Sequence, residues 1–125
     1  MVKPRMRSIA FSVVILAVPL RAQTNVAVIP LDAKGVSEIE ASVLTERLAL
    51  ELFRTGRFTV LERGKMEDIL TEQDFQLTGC VSEECLVEVG RLLGVEQMMA
   101  GSVSRIGNTY SVILRLISAE SGAIV

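Results

Sequence analysis

Four apolar residues in a row, Val26-Ala27-Val28-Ile29, sit in a stretch reading NVAVIPLDA (25–33). A strand half open to water alternates apolar and polar side chains; an unbroken apolar run reads as a strand buried on both faces. Pro30 has no amide proton to give a ladder, so the strand is expected to bend or end there. SEIEASVLTERLALELFR (37–54) follows. Ser37 with Glu40 three residues on is a capping-box signature. Ala41, Leu44, Leu48 and Leu52 then recur at helical spacing, and Gly56 suits a C-terminal cap.

The rest of the chain continues this alternation. Phe58–Glu62 (FTVLE) predicts a short strand, rich in β-branched and aromatic residues. Gly64–Gln73 predicts a second helix with Met66, Ile69 and Leu70 on one face, and Asp74–Gly79 a polar connector. Ser82–Leu93 predicts a third helix. Ser82 caps it, Glu83 and Glu84 complement its positive end, and Gly94 stops it. Leu86, Val89, Leu92 and Leu93 form its buried stripe. Gln97–Ile106 and Thr109–Ile117, joined by Gly107-Asn108, predict an antiparallel hairpin. In its second strand Tyr110, Val112, Leu114 and Leu116 share one face, and Ser111, Ile113, Arg115 and Ile117 the other. Ser118–Gly122 is a turn signal, and Ala123-Ile124-Val125 reads as the start of a further strand. The expected class is α/β (α+β type): a mixed sheet of about four to five strands, order β-α-β-α-α-β-β, with helices packed on it.

The chain opens MVKPRMRS, with Lys3, Arg5 and Arg7 and no acid, before an apolar stretch Ile9–Leu20 and then RAQT. A basic start, a short apolar stretch and a small residue make a secretory signal, with cleavage expected after Ala22. A membrane anchor is the competing reading. Twelve helical residues rise only ~18 Å against a hydrocarbon core of about 30 Å, and Pro19 interrupts them. The expected organisation is a signal at 1–22 and one domain at 23–125, incomplete at its C-terminus. Of the 13 basic residues, four lie in the first 22 and none of the 15 acids does, so residues 23–125 carry 9 against 15, a net charge of −6. Such a surface repels phosphate backbones, which argues against nucleic acid as a partner.

Little here selects for catalysis. No histidine occurs, which removes the usual general base and the commonest zinc ligand. Glu67-Asp68 and Glu83-Glu84 are adjacent on helices and diverge, so neither is a carboxylate dyad. Gly101-Ser102-Val103-Ser104 reads as a strand in which glycine permits close backbone approach. Met98-Met99 reads as core, and Glu62-Arg63 as a surface pair of small energetic value. We therefore expect no catalytic, cofactor or metal residues and no cofactor.

The two cysteines lie in LTGCVSEEC (77–85). LTGC has the form of a lipobox, but Glu72, Gln73 and Asp74 stand where the apolar part of a signal would be needed. Metal binding would need two more ligands, and with no histidine and no other cysteine only carboxylates or a second subunit could supply them. A catalytic thiol pair favours C-x-x-C, and here four residues separate the two. In an exported chain these two cysteines are expected to form a disulfide, Cys80–Cys85.

Three stretches carry a resemblance: VAVIPLDAKGVSEIEASVLTERLALEL, FTVLERGKMEDILTEQDFQLTGC and EVGRLLGVEQMMAGSVSRIGNTYSVILRLISAESG. Together they resemble the amino-terminal part of the CsgG-like family, whose type member is the curli secretion channel of the bacterial outer membrane. The resemblance implies a non-enzymatic periplasmic α/β domain, associated with the outer membrane, that assembles with copies of itself or with other envelope proteins. Related shapes occur in periplasmic activators of cell-wall synthases and in the amino-terminal domain of TolB. That makes a regulatory binding module the alternative. The family's channel is a lipoprotein with membrane-spanning hairpins. This chain has no lipobox at its signal, and its Gln97–Ile117 hairpin carries Arg105 and Arg115, as suits a soluble sheet.

Overall fold

The computed structural model describes residues 4, 9–10, 12–15, 22–77, 80 and 82–125. Most of the segment expected to be a signal lies outside these residues. The elements are β1 (Thr24–Val28), β2 (Asp32–Lys34), α1 (Glu38–Arg54), β3 (Phe58–Val60), α2 (Arg63–Glu72), α3 (Glu83–Leu93), β4 (Gln97–Ile106) and β5 (Thr109–Ser118). The α/β class and order are as expected, with the first strand divided in two at Pro30.

β4 organises the sheet. One edge carries β1 and then β2, both parallel to it, and the other carries β5, antiparallel along all ten residues. β3 lies outside β1, also parallel. The path from β1 through α1 to β3 runs away from β4, and the path through α2 and α3 back to β4 reverses direction. Parallel crossovers are right-handed, so the reversal sends α1 and the α2–α3 pair to opposite faces.

The packing follows the alternation of β1. Val26 and Val28 meet Met99 and the α1 residues Leu48, Ala49 and Leu52. Ala27 and Ile29 meet Met66, Leu70, Leu86, Val89 and Met98 on the other face. The continuous apolar run thus marks a strand with helices on both sides. Val28 pairs with Met99 and Asp32 with Ser102, so four steps along β1–β2 match three along β4. This is a β-bulge, and Pro30 is its surplus residue. Beyond the bulge Leu31 and Ala33 face α1, packing with Ala41, Leu44 and Val103.

Past the bulge the Leu31 amide points away from β4. It donates instead to Thr45 Oγ1 at 3.0 Å, and that hydroxyl donates to the Ala41 carbonyl at 2.7 Å. Thr45 is the buried polar side chain in the described core, and both its hydrogen-bonding functions are used. α1 starts with the expected reciprocal cap: Glu40 N–H donates to Ser37 Oγ and Ser37 N–H to the Glu40 carboxylate.

Candidate interaction surface

The cysteine segment lies where α3 begins, and Thr78, Gly79 and Val81 fall outside the described residues. Ser82 is the N-cap of α3; its hydroxyl accepts from the Cys85 amide at 3.2 Å, and Glu83 and Glu84 occupy the first turn. Cys80 and Cys85 are disulfide-bonded, with Cα atoms 5.5 Å apart. Cys80 is buried in the α2–α3 core, so the bridge ties the end of the connector to the helix it precedes. Ala22 is exposed, two residues ahead of β1.

The polar groups noted in the sequence are dispersed. Glu67 pairs with Arg63 at 3.1 Å, and Arg63 also reaches Glu46 at 3.5 Å and the Ser42 hydroxyl at 3.2 Å. Arg63 thus pairs with other acids than its neighbour Glu62, and these exposed contacts contribute little. Met98 and Met99 are core residues. A Cβ on Gly101 would lie 2.0 Å from the Ile113 carbonyl oxygen, so β4 and β5 approach there as only glycine permits. Among the described residues no group of three or more His, Cys, Asp or Glu side chains could hold a metal. No helix among them is long and apolar enough to cross a membrane.

Two surface features remain. One is a cleft of about 860 Å³ at the ends of β1, β4 and β5, lined by Thr24, Arg91, Gln97, Ser118 and Glu120 among others. Gln97 Oε1 is buried there without a partner. The other is an apolar trough of about 500 Å³ between the first turns of α1 and the near end of β5, lined by Ile39, Val43, Leu44, Tyr110 and Val112. α1 covers β1, β2 and β4, and the sheet continues past it. Of the face that Tyr110, Val112, Leu114 and Leu116 share, only Leu116 joins the core with Met99; the other three are exposed. Arg105 stacks over the Tyr110 ring at 5.6 Å and donates to the Gly107 carbonyl, which fixes the hairpin tip.

The sequence reading grouped these three residues correctly but did not predict that they would be open. The signal was present. From Thr109 to Leu114 the strand has no charge, and its even positions Tyr110, Val112 and Leu114 are all apolar.

Residues 5–112 match the family described as curli production assembly/transport component CsgG. The chain belongs to the CsgG family. No curated protein matches it. Among solved structures it is similar to the LpoB C-terminal domain from Escherichia coli, at 17% identity with a TM-score of 0.68, covering 86% of this chain and 80% of that one. The LpoB C-terminal domain from Salmonella enterica is similar at 18% identity and a TM-score of 0.68, covering 86% and 81%. Lipoprotein GNA1162 from Neisseria meningitidis gives 12% identity and a TM-score of 0.65, covering 82% and 74%. At these identities the likeness is one of fold. In this CsgG-family chain the β4–β5 hairpin belongs to the α/β sheet, since β4 pairs with β1 and β2 as well as with β5.

Proposed function

We propose that this chain is a non-enzymatic component of the bacterial cell envelope that acts in the periplasm by binding copies of itself or other envelope proteins. Membership of the CsgG family carries this reading. The open apolar face shared by α1 and β5 supports it, because exposed patches of this kind mark interaction sites. In this reading residues 1–22 direct export and are cleaved after Ala22, and Cys80–Cys85 closes in the oxidising compartment. The domain works at the outer membrane as part of an assembly or transport apparatus.

The test is light scattering on the purified protein together with cross-linking in intact cells. Association with itself, or with a defined envelope protein, is expected. A strictly monomeric protein that cross-links to no envelope protein would count against the reading. The alternative, a regulatory module like a cell-wall synthase activator or the TolB amino-terminal domain, draws on the shared fold. It is favoured by a single partner in cross-linking without assembly of the chain with itself. Mass spectrometry of the exported form, with and without reductant, tests the cut after Ala22 and the closed bridge together.

A further inference from the structure

Gln23 stands one residue ahead of β1, and its side chain is fastened at both polar atoms. At the start of β1, Thr24 N–H donates to the carbonyl of Arg57, the residue before β3, at 3.1 Å. Gln23 carries that contact one residue further back with its carboxamide. Nε2 donates to the Gly56 carbonyl at 3.0 Å, and Oε1 accepts from the Thr59 hydroxyl at 3.0 Å. Gly56 lies in the turn that leaves α1, and Thr59 is the middle residue of β3. Gln23 and Thr59 are both exposed, so this clasp is a surface feature and not part of the core.

A cut after Ala22 makes Gln23 the first residue of the exported chain. An amino-terminal glutamine carries a nucleophile and an electrophile on one residue. The free α-amine titrates just above neutral pH, so a fraction of it is unprotonated there. It attacks its own Cδ. The N–Cδ bond forms, the Cδ–Nε2 bond breaks, one proton passes from the α-nitrogen to Nε2, and ammonia leaves. The product is a five-membered lactam that has lost the terminal positive charge. No oxidant or second substrate enters.

We infer that Gln23 is a modification site, for cyclisation to pyroglutamate, that the fold protects. This rests on cleavage after Ala22. Ring closure needs the side chain folded back onto its own main chain, with Nε2 as the departing atom. Both requirements conflict with the clasp. The bond to Gly56 is lost with Nε2, and the bond from Thr59 must open as Cδ moves to the α-nitrogen. The folded chain therefore keeps its first residue open and charged, and loosening β3 from β1 lets the ring close. A hydrogen bond of this kind slows the reaction by roughly twofold to tenfold, and the pair by on the order of tenfold.

Intact mass followed over time tests this on the protein purified as the cell exports it. A synthetic peptide of residues 23–32 gives the unrestrained rate. The fresh protein is expected to begin at an open Gln23. At neutral pH it is expected to lose the mass of one ammonia on the order of tenfold more slowly than the peptide, with fragmentation placing the loss on the first residue. Thr59→Val keeps a β-branched residue in β3 and removes the hydroxyl. It is expected to cyclise roughly twofold to tenfold faster than wild type, with unchanged circular dichroism. Thr59→Ser keeps the hydroxyl and is expected to match wild type. A chain that starts at Gln23 and cyclises as fast as the peptide, or equal rates in wild type and Thr59→Val, overturns the protection and leaves the cut after Ala22 standing. A chain that starts at another residue overturns the cut and this inference together.

Discussion

Replacing Thr45 by Val tests whether the bulge is held by the helix beside it. The two side chains are nearly isosteric, so the change leaves the packing of α1 on the sheet almost untouched, and their helix propensities are close. What changes is the hydroxyl. The Ala41 carbonyl keeps its ordinary helical partner, the Thr45 amide, and loses only a second bond. The Leu31 amide loses its acceptor at 3.0 Å, and Leu31 and Thr45 are each only 5% exposed. An orphaned buried N–H costs about 1–3 kcal/mol. The added methyl recovers a fraction of that through burial. The net expectation is a loss of about 1–2 kcal/mol. Urea unfolding should show a lower midpoint at unchanged slope, since the surface exposed on unfolding is the same. For a domain of this size the melting temperature should fall by about 5–10 °C. Thr45→Ser keeps the hydroxyl and loses a buried methyl, about 1 kcal/mol, and should keep the Leu31 amide protected from hydrogen exchange where Thr45→Val does not. Thr45→Val at or above wild-type stability, with Leu31 still protected, would falsify the idea that this hydroxyl anchors the bulge.

Gly101→Ala should be severely destabilising, about 3 kcal/mol or more in urea unfolding, because the new methyl meets a main-chain oxygen of β5 that cannot yield without parting the hairpin. Ser37→Ala removes the α1 cap and should cost about 1 kcal/mol in the same assay; a neutral result would show that the reciprocal cap contributes nothing. Cys80→Ser with Cys85→Ser opens a loop of six residues and should cost about 2 kcal/mol by loop entropy, with reductant giving wild type a similar loss.

Most of the fold was legible because local and tertiary signals agree. Ser37 with Glu40, and Ser82 with Gly94, bracket helices whose apolar stripes meet the apolar run of β1. Gly107-Asn108 sets the hairpin register, with Ile106 opposite Thr109. What escaped was geometry that periodicity does not carry. Pro30 announced an interruption, but the bulge and the rescue of the Leu31 amide by Thr45 depend on α1 lying above it. Thr45 falls between the stripe residues Leu44 and Leu48 and reads as surface until the bulge is seen. The trough escaped for a related reason. Tyr110, Val112 and Leu114 have the pattern of a buried face, and no local rule says which part of a sheet the helices leave bare. The residues with conventional chemistry, Glu67-Asp68 and Glu83-Glu84, were correctly read as helix surface because adjacent helical positions diverge.

Pro30 separates two properties of a strand that normally travel together, its length and its phase. Because β1–β2 spends one more residue than β4 over the same distance, Leu31 and Ala33 reach the face that Val26 and Val28 already occupy, although their numbers have changed from even to odd. A chain lacking Pro30 would place the same side chains on the same faces, as a straight ladder. The surplus residue therefore leaves the core's composition unchanged, and just beyond it the Leu31–Thr45 bond ties the strand to α1, the helix that also forms one wall of the open trough beside β5.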